Sequence, residues 1–288
     1  IVDNEDGTYH VHFTPFVADV FVLSILLGDP PSGIIGGEKL ILTALPAGGC
    51  GPNCISTGAG LQGAVAGVPQ KFTVQLVDEN KNLLTHNQAG HQLSIDGRVE
   101  HDAGAARADA LEGAEFSSQV FDNADGTLLI TYTVLTTGTL QLNARLHGGG
   151  MVAGSPFAIP VISGETHGNF CTIMGTMTDN AGSDTELTIQ AKDKWGNCRH
   201  VGGDSFELVF DGPGPSRHSV TDNADGTYKV IYTLEKIGTY DLKVLHGNVP
   251  FSGHPVTLTC LPASLDVPSC TIQELEKQDN AEVLEAVA

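Results

Sequence analysis

Short segments in which apolar and polar residues alternate recur along most of this chain. Phe72, Val74 and Leu76 share one side of such a segment, and Leu187 and Ile189 share one side of another. An alternation of period two is typical of strands with one buried face, because successive side chains of a strand point to opposite faces. The pattern therefore predicts an all-β fold of antiparallel sandwiches with short strands.

One six-residue segment occurs three times and sets the periodicity of the chain. Its copies are Asp3–Thr8, Asp122–Thr127 and Asp222–Thr227, and an alternating segment follows each of them. Asn and Asp tolerate left-handed backbone angles, and Asp-Gly supplies the positive φ that a tight reversal between twisted strands needs. We therefore expect a hairpin at each copy and interpret the chain as a tandem array.

The order and spacing of strands and turns predict one partial and two complete repeats. We expect the C-terminal part of a repeat at residues 1–43 and complete repeats at 52–162 and 163–261. The equivalent turns are further apart in the first complete repeat, which predicts an inserted loop at about 97–113. Because the chain begins within a hairpin, we expect it to be a piece of a longer protein.

Residues 262–288 have a different composition, and we interpret them as a linker and a short acidic C-terminal helix. Thr271-Ile272-Gln273-Glu274 has the form of a capping box. The stretch Glu274–Ala288 is rich in Glu, Leu and Ala and contains neither Gly nor Pro, a composition that favours a helix.

The charge of the chain disfavours two classes of partner. Lys and Arg number 14 against 34 Asp and Glu, which gives a formal net charge of −20. Nucleic acids and anionic membranes would be repelled, so neither is expected as a partner. No apolar run reaches the roughly 18 to 20 residues that a membrane span requires, so we expect no membrane insertion.

The six cysteines leave two interpretations open. Cys50 and Cys54 are spaced C-x3-C, but no nearby second pair completes the four ligands of a structural zinc site. Reduced thiols would indicate a cytosolic protein. A Cys50–Cys54 or Cys260–Cys270 disulfide would instead indicate a secreted one.

Other potential ligands and catalytic groups are also poorly arranged for chemistry. His10 and His12 alternate on one strand, where solvent-facing histidines are common. Cys198 and His200 lack a third group to orient them as nucleophile and base. The turn carboxylates are already explained by turn geometry, and no phosphate, dinucleotide or nucleophile-elbow motif occurs. We expect no metal, no cofactor and no enzymatic activity.

Further elements follow the repeated turn in a fixed order. In the second complete repeat they are Gly238-Thr239-Tyr240 and Gly253-His254-Pro255-Val256. In the first they are Gly138-Thr139-Leu140 and Gly154-Ser155-Pro156-Phe157. With the turn Asp-Asn-x-Asp-Gly-Thr, this order and spacing resemble the filamin-type (actin-binding protein 280) immunoglobulin-like repeat.

The resemblance implies a seven-stranded sandwich for each repeat, used as a spacer, a dimerisation module or a docking site. Partners of that family commonly add an extended strand beside strand three or four. By resemblance, the candidate groove residues are Phe206, Leu208, Phe210, His218 and Val220 in the second complete repeat, and Leu93, Ile95, Phe116 and Val120 in the first. Ordinary core-facing strands with a solvent-exposed edge are the alternative interpretation of the same residues.

Three functions are compatible with these observations. The resemblance favours a non-enzymatic scaffold or spacer that docks other proteins of a larger assembly, in the cytoplasm on a cytoskeleton or a ciliary axoneme. Actin binding is not supported, because no calponin-homology-like segment is present. The alternatives are an extracellular adhesion ectodomain and an accessory region of an enzyme whose catalytic module lies outside the chain.

Overall fold

The computed structural model forms two compact units, which we name unit 1 (Ile1–Gly164) and unit 2 (Glu165–Ala288). The structure describes residues 1–28, 33–35, 39–87, 90–101, 115–264, 271–274 and 284–287.

Strands are the main regular elements of the described residues. Those of unit 1 are β1 (Val2–Asp3), β2 (Tyr9–His10), β3 (Val20–Leu23), β4 (Leu40–Thr43), β5 (Ile55–Thr57), β6 (Ala64–Val65), β7 (Gln70–Gln75), β8 (Leu93–Glu100), β9 (Phe116–Asp122), β10 (Thr127–Val134), β11 (Gly138–Leu146), β12 (Gly150–Met151) and β13 (Phe157–Ile162). Those of unit 2 are β14 (Thr172–Gly175), β15 (Thr178–Asn180), β16 (Asp184–Gln190), β17 (Phe206–Asp211), β18 (Ser216–Asp222), β19 (Thr227–Leu234), β20 (Gly238–His246), β21 (Val249–Pro250), β22 (Val256–Leu261), β23 (Thr271–Glu274) and β24 (Leu284–Val287). Three single 3-10 turns, Gly51–Asn53, Ala59–Leu61 and Gly168–Phe170, accompany them.

Most of unit 1 is a sandwich of two sheets. One sheet is antiparallel with the order β5-β7-β10-β9. In the other, β13 lies between β11 and β6, and β8 and the short β12 both pair with β11. Alternate residues of β10 are buried, and the ring of Phe72 lies 6.0 Å from that of Phe157 in the other sheet. The alternation therefore buries one face of each sheet against the other, as its period predicts.

Unit 2 repeats this architecture. Its sheets have the orders β14-β16-β19-β18 and β15-β22-β20-β17, with β21 paired to β20. Both sheets contribute to one hydrophobic core, which includes Ile189, Val230, Leu242 and Leu258, all fully buried. Burying each such side chain contributes about 1.5–3 kcal/mol. The predicted all-β sandwich fold is confirmed.

The repeated segment forms a hairpin turn, as predicted, with β9 and β10 pairing on either side of Asp122–Thr127. The left-handed positions are Ala124 (φ 60°) and Gly126 (φ 87°), not the Asn or Asp residues. Instead, the Asp125 carboxylate accepts bonds from the Thr127 amide and hydroxyl (2.9 and 2.6 Å). These bonds hold the pKa of Asp125 below its ordinary value. The side chains thus fix the turn, while Ala and Gly adopt its unusual backbone angles.

One glutamine in each unit holds this turn against a neighbouring loop. The Gln75 amide nitrogen donates to the carbonyls of Leu76, Leu84 and Gly126 at 3.0–3.1 Å. Gln190 makes the equivalent set of bonds in unit 2. The glutamines occupy the same last position of β7 and β16, so the arrangement belongs to the repeat.

Residues 1–43 form two hairpins, in which β1 pairs with β2 and β3 pairs with β4. Several of their large apolar side chains are exposed, among them Phe16 and Ile41. The Asn82 side chain, on a turn of the same unit, donates to the Phe16 carbonyl and accepts from the Ala18 amide, both at 2.9 Å. This contact fixes the approach of the N-terminal segment to the sandwich.

The described residues of the C-terminal stretch do not show the predicted short helix. The described parts of this stretch are strands, with Thr271–Glu274 antiparallel to Leu284–Val287. The β-branched residues at the start of the first strand and the end of the second favour this conformation over a helix. Residues 275–283 and 288 of the predicted helix lie outside the described residues. Within the predicted inserted loop, 97–100 belong to β8, and 102–113 lie outside the described residues.

Candidate protein-docking grooves

Each sandwich has two edge strands that face one another across the gap between its sheets. In unit 1 they are β8 and β9, and in unit 2 they are β17 and β18. We name the two clefts groove 1 and groove 2. The alternation of side chains along each strand determines which ones enter the grooves. Each groove residue of β9 lies opposite a buried residue of β10, and each groove residue of β18 lies opposite a buried residue of β19. Groove 1 is lined by Ile95, Gly97 and Val99 of β8 and by Phe116, Ser118 and Val120 of β9.

Groove 1 is an open cleft. Its cavity volume is about 480 Å³, and its lining consists of Ile95–Val99 and Glu115–Ser118. The Phe116 ring lies directly against Gly97: a Cβ atom added there would be 2.5 Å from the ring. The same ring stacks on Tyr132 with 6.0 Å between ring centroids. Glycine on one wall therefore leaves room for an aromatic ring from the other.

Among the residues that the structure describes, no strand pairs with the edge of β8 beside groove 1. The Gln92 carbonyl accepts from the His147 amide (2.9 Å), so the even-numbered residues of the strand direct their backbone groups towards β11. The Ile95 carbonyl instead accepts from the Ser118 hydroxyl across the groove (3.5 Å). Since antiparallel pairing alternates along a strand, Ile95, Gly97 and Val99 direct their N–H and C=O groups away from β11. This edge can accept another strand.

In groove 2 aromatic side chains of the two facing strands contact each other. The ring of Phe210 lies 5.3 Å from that of His218, which bridges β17 and β18. On its other side Phe210 packs against Tyr232, with 5.6 Å between ring centroids. Two rings therefore meet between the walls of groove 2, whereas in groove 1 one ring meets a glycine and a cavity remains beside them.

The structure divides the predicted site residues between grooves and core. Three of them, Phe210, His218 and Val220, line groove 2. Ile95, Phe116 and Val120 line groove 1. The other three predicted residues belong mainly to the cores: Leu93 and Leu208 are buried, and Phe206 packs its ring against Tyr228 and Phe251.

The buried Val99 was not predicted, and sequence reasoning did not single out Gly97, Ser118 and Ser216, which also line the grooves. Each of the latter three lies two positions from a predicted residue, so alternation contained the necessary signal. Their small side chains carry no apolar character to draw attention to them.

The described cysteines are all free thiols: Cys50, Cys54, Cys171, Cys198 and Cys260. Burial raises the pKa of the Cys54, Cys171 and Cys260 thiols, which lowers their reactivity. Cys54 and Cys171 are equivalent, since each follows a single 3-10 turn and donates to the carbonyl four residues earlier. Cys270 lies outside the described residues.

The described ranges show neither a metal-binding cluster nor a membrane-spanning helix. No group of three or more His, Cys, Asp or Glu side chains is placed there to hold a metal ion. Among the same residues no helix combines the length and apolar character that crossing a bilayer requires.

The strand order of both units is that of an immunoglobulin-like sandwich, in which two mainly antiparallel sheets carry the edge strands that bound each groove. The Filamin/ABP280 repeat model matches residues 49–158 and 166–257. The chain therefore belongs to the Filamin/ABP280 repeat family, and the resemblance inferred from the repeated turn is confirmed.

Relatives of this chain are much longer than the chain itself. It is 26% identical over 255 residues to rat (Rattus norvegicus) Filamin-C, covering 88% of this chain and 8% of that protein. It is 24% identical over 263 residues to Drosophila melanogaster Filamin-A, covering 88% of this chain and 10% of that protein. The chain thus spans one tenth or less of the length of these relatives.

A solved structure shares the fold. The Escherichia coli adhesin FdeC aligns with a TM-score of 0.50 at 20% identity, covering 85% of this chain and 74% of that one. At this identity the likeness concerns the sandwich architecture alone.

Proposed function

We propose that this chain is part of a non-enzymatic scaffold whose filamin-type repeats act as spacers and as docking sites for other proteins. The observation that carries the proposal is the free backbone edge of β8 beside the open groove 1. A partner segment added there as a strand would gain main-chain hydrogen bonds for affinity. Its alternate side chains would enter the groove and provide selection.

Groove 1 is the proposed docking site, and unit 2 is proposed to act as a spacer. The apolar surfaces of Phe116 and Val120 are half-buried in groove 1, so a docked segment can cover them further. In groove 2 an added strand would instead meet the contacting rings of Phe210 and His218.

A pair of equivalent proline substitutions tests this division. Ile95→Pro removes one outward N–H of β8 without removing a bond to β11, and proline is tolerated on edge strands. Leu208→Pro is the matched control, because Leu208 holds the equivalent position in β17. We expect Ile95→Pro to weaken capture of partner proteins at least about tenfold and Leu208→Pro to leave it unchanged. Equal capture by both variants, with each shown to be folded by thermal unfolding, would contradict the proposal.

We propose that the scaffold belongs to a cytoskeletal assembly in the cytoplasm, and more specifically to a ciliary axoneme. The free thiols of the described cysteines support a reducing compartment. Thiol counting under denaturing, non-reducing conditions should give six free thiols, the full number in the sequence. A disulfide in the native protein would favour the extracellular adhesion alternative. Fluorescent tagging in the source cells would then test the axoneme.

A further inference from the structure

The solvent-facing side of β8 carries a strip of alternating charges. Asp96, Arg98 and Glu100 lie two residues apart, so they share one face, and all three are exposed. Their cross-strand partners on β11 are Asn143, Gln141 and Thr139, which are uncharged.

None of the three strip residues forms an ion pair within the part of the chain that the structure describes. The Glu100 carboxylate accepts one weak bond from the Gln141 amide (3.3 Å). The sheet therefore leaves the strip largely without opposite charges on its closed side. A strand added to the free edge would supply the neighbours on its open side.

An added strand would meet these charges at cross-strand distance. Opposite charges at such positions stabilise a pair of strands, and like charges destabilise it. A strand with basic, acidic and basic residues opposite Asp96, Arg98 and Glu100 satisfies all three positions. A shift by two residues would place like charges together, and a shift by one would turn every side chain to the other face. The strip therefore defines a register as well as an affinity.

The inward-facing side chains of the added strand would face the shallow cavity of groove 1. Gly97 has no side chain, and the Phe116 ring already occupies the space above it. The remaining wall is formed by Ser118 and Val120, so small β-branched or hydroxyl side chains fit best. An incoming backbone N–H would replace the Ser118 hydroxyl as donor to the Ile95 carbonyl. That hydroxyl would then be available to a polar group of the partner.

We propose that groove 1 selects an extended protein segment whose outward residues read basic, acidic, basic and whose inward residues are small. The inference rests on the docking role proposed above and names the chemistry of the partner. Groove 2 lacks the corresponding strip: the outward residues of β17 are Glu207, Val209 and Asp211, with no positive charge among them. Of these two edge strands, only β8 carries outward charges that alternate in sign.

Synthetic peptides of about ten residues provide the probe, a length that matches the edge of β8. The first peptide alternates valine or threonine with outward lysine, glutamate and lysine. The second has the same composition with outward glutamate, lysine and lysine. Fluorescence anisotropy with the whole chain should show about tenfold tighter binding of the first, and the difference should shrink at about 0.5 M salt. Equal affinities, or no binding of either peptide, would overturn the charge register.

A charge reversal on the protein gives a matched control. Arg98→Glu should abolish the preference for the first peptide, because its central glutamate would then face a like charge. Arg145→Glu makes the same charge change at an exposed position of β11, which the added strand does not adjoin, and should preserve the preference. Equal effects of the two substitutions would overturn the inference. If Ile95→Pro still weakened protein capture in that case, the docking proposal itself would stand.

Discussion

Each groove contains a phenylalanine ring at the equivalent position, but the two rings come from opposite walls. In groove 1 the ring belongs to Phe116 of β9 and faces Gly97 of β8. In groove 2 it belongs to Phe210 of β17, and the equivalent place on β18 is held by Ser216. The ladder pairs that establish this correspondence are Gly97–Leu142, Phe210–Leu242, Phe116–Val134 and Ser216–Leu234.

The exchange shows that this position needs the volume of one ring and that either strand can supply it. Close packing accounts for the requirement, since a void loses contacts and a second ring does not fit. The choice of wall has a consequence for the edge. A ring from β9 covers a glycine and leaves a cleft beside β8, whereas a ring from β17 reaches His218 and joins the two walls.

Removing the ring from groove 2 should have the largest effect on this comparison. Phe210→Gly should lower the free energy of unfolding of unit 2 by about 3 kcal/mol, because the ring packs on Tyr232 and its removal leaves a cavity. Adding Ser216→Phe to the same chain rebuilds the arrangement of groove 1 and should recover at least half of the loss. Urea unfolding followed by the fluorescence of Trp195, the single Trp, reports on unit 2. Further destabilisation by the second substitution would show that the two positions are not equivalent.

Adding a second ring to groove 1 should have the next largest effect. Gly97→Phe forces a side chain into the Phe116 ring and should cost unit 1 about 2 kcal/mol, as overpacking does. The double substitution with Phe116→Ser reproduces groove 2 and should restore most of the stability. Hydrogen exchange of β10 amides measures the change in unit 1. If the double variant is as unstable as the single one, the volume argument fails.

Alkaline pH should destabilise the two sandwiches to different extents. Burial raises the pKa of Tyr228 and Tyr232 in unit 2, and of Tyr132 in unit 1, to about 12 from an ordinary value of 10.0. The folded state then holds these protons more tightly than the unfolded state. Their contribution is complete below pH 10 and is lost as the pH rises towards 12.

With two such groups, unit 2 should lose stability more steeply between about pH 10 and 12 than unit 1. Unfolding free energies measured across this window, by Trp195 fluorescence for unit 2 and by hydrogen exchange for unit 1, check the difference. Tyr232→Phe should reduce the slope of unit 2 towards that of unit 1. Identical slopes in the original chain would contradict the expectation.

Acid pH should produce the smallest difference. Burial lowers the pKa of His254, whose Nδ1 lies 3.3 Å from the Val244 amide nitrogen. The unfolded state therefore binds the proton more readily, so the contribution to stability is complete above pH 6.5 and falls at lower pH. One proton limits the slope to about 1.4 kcal/mol per pH unit.

Unit 1 carries Ser155 in the equivalent place, where its hydroxyl accepts from the Ala144 amide (2.9 Å). His254→Ser should therefore flatten the acid limb of unit 2. Fluorescence-detected unfolding between about pH 4 and 7 measures that limb, and an unchanged slope would assign it to other groups.

The fold was predictable because its signals are local. Alternation defined strands such as β7 and β16, and the repeated turn located three hairpins. The exchange of Phe116 with Phe210 was not predictable, because it depends on which residues face each other across two sheets. The Gln75 bonds were missed for the same reason, because they depend on where the loop at Leu84 and the turn at Gly126 fold against β7.

The candidate site was predictable in part. Ile95 and Phe116 followed from the family resemblance and the apolar alternation, but Gly97 and Ser118 have no apolar side chain to mark them. The C-terminal helix was inferred from composition alone, which is a local preference. Pairing of Thr271–Glu274 with Leu284–Val287 is a tertiary effect that such a preference does not include.

The pairing of the strands near the two ends of each sandwich has a mechanical consequence. In unit 1 the early strand β6 runs parallel to the final strand β13, and in unit 2 β15 runs parallel to β22. Pulling a unit by its two ends draws parallel neighbours past one another along their length. Their hydrogen bonds then carry the load together in shear, whereas a hairpin pulled open from its free end breaks them one at a time. This geometry should make each sandwich resist such a pull more than a hairpin of the same few pairs would.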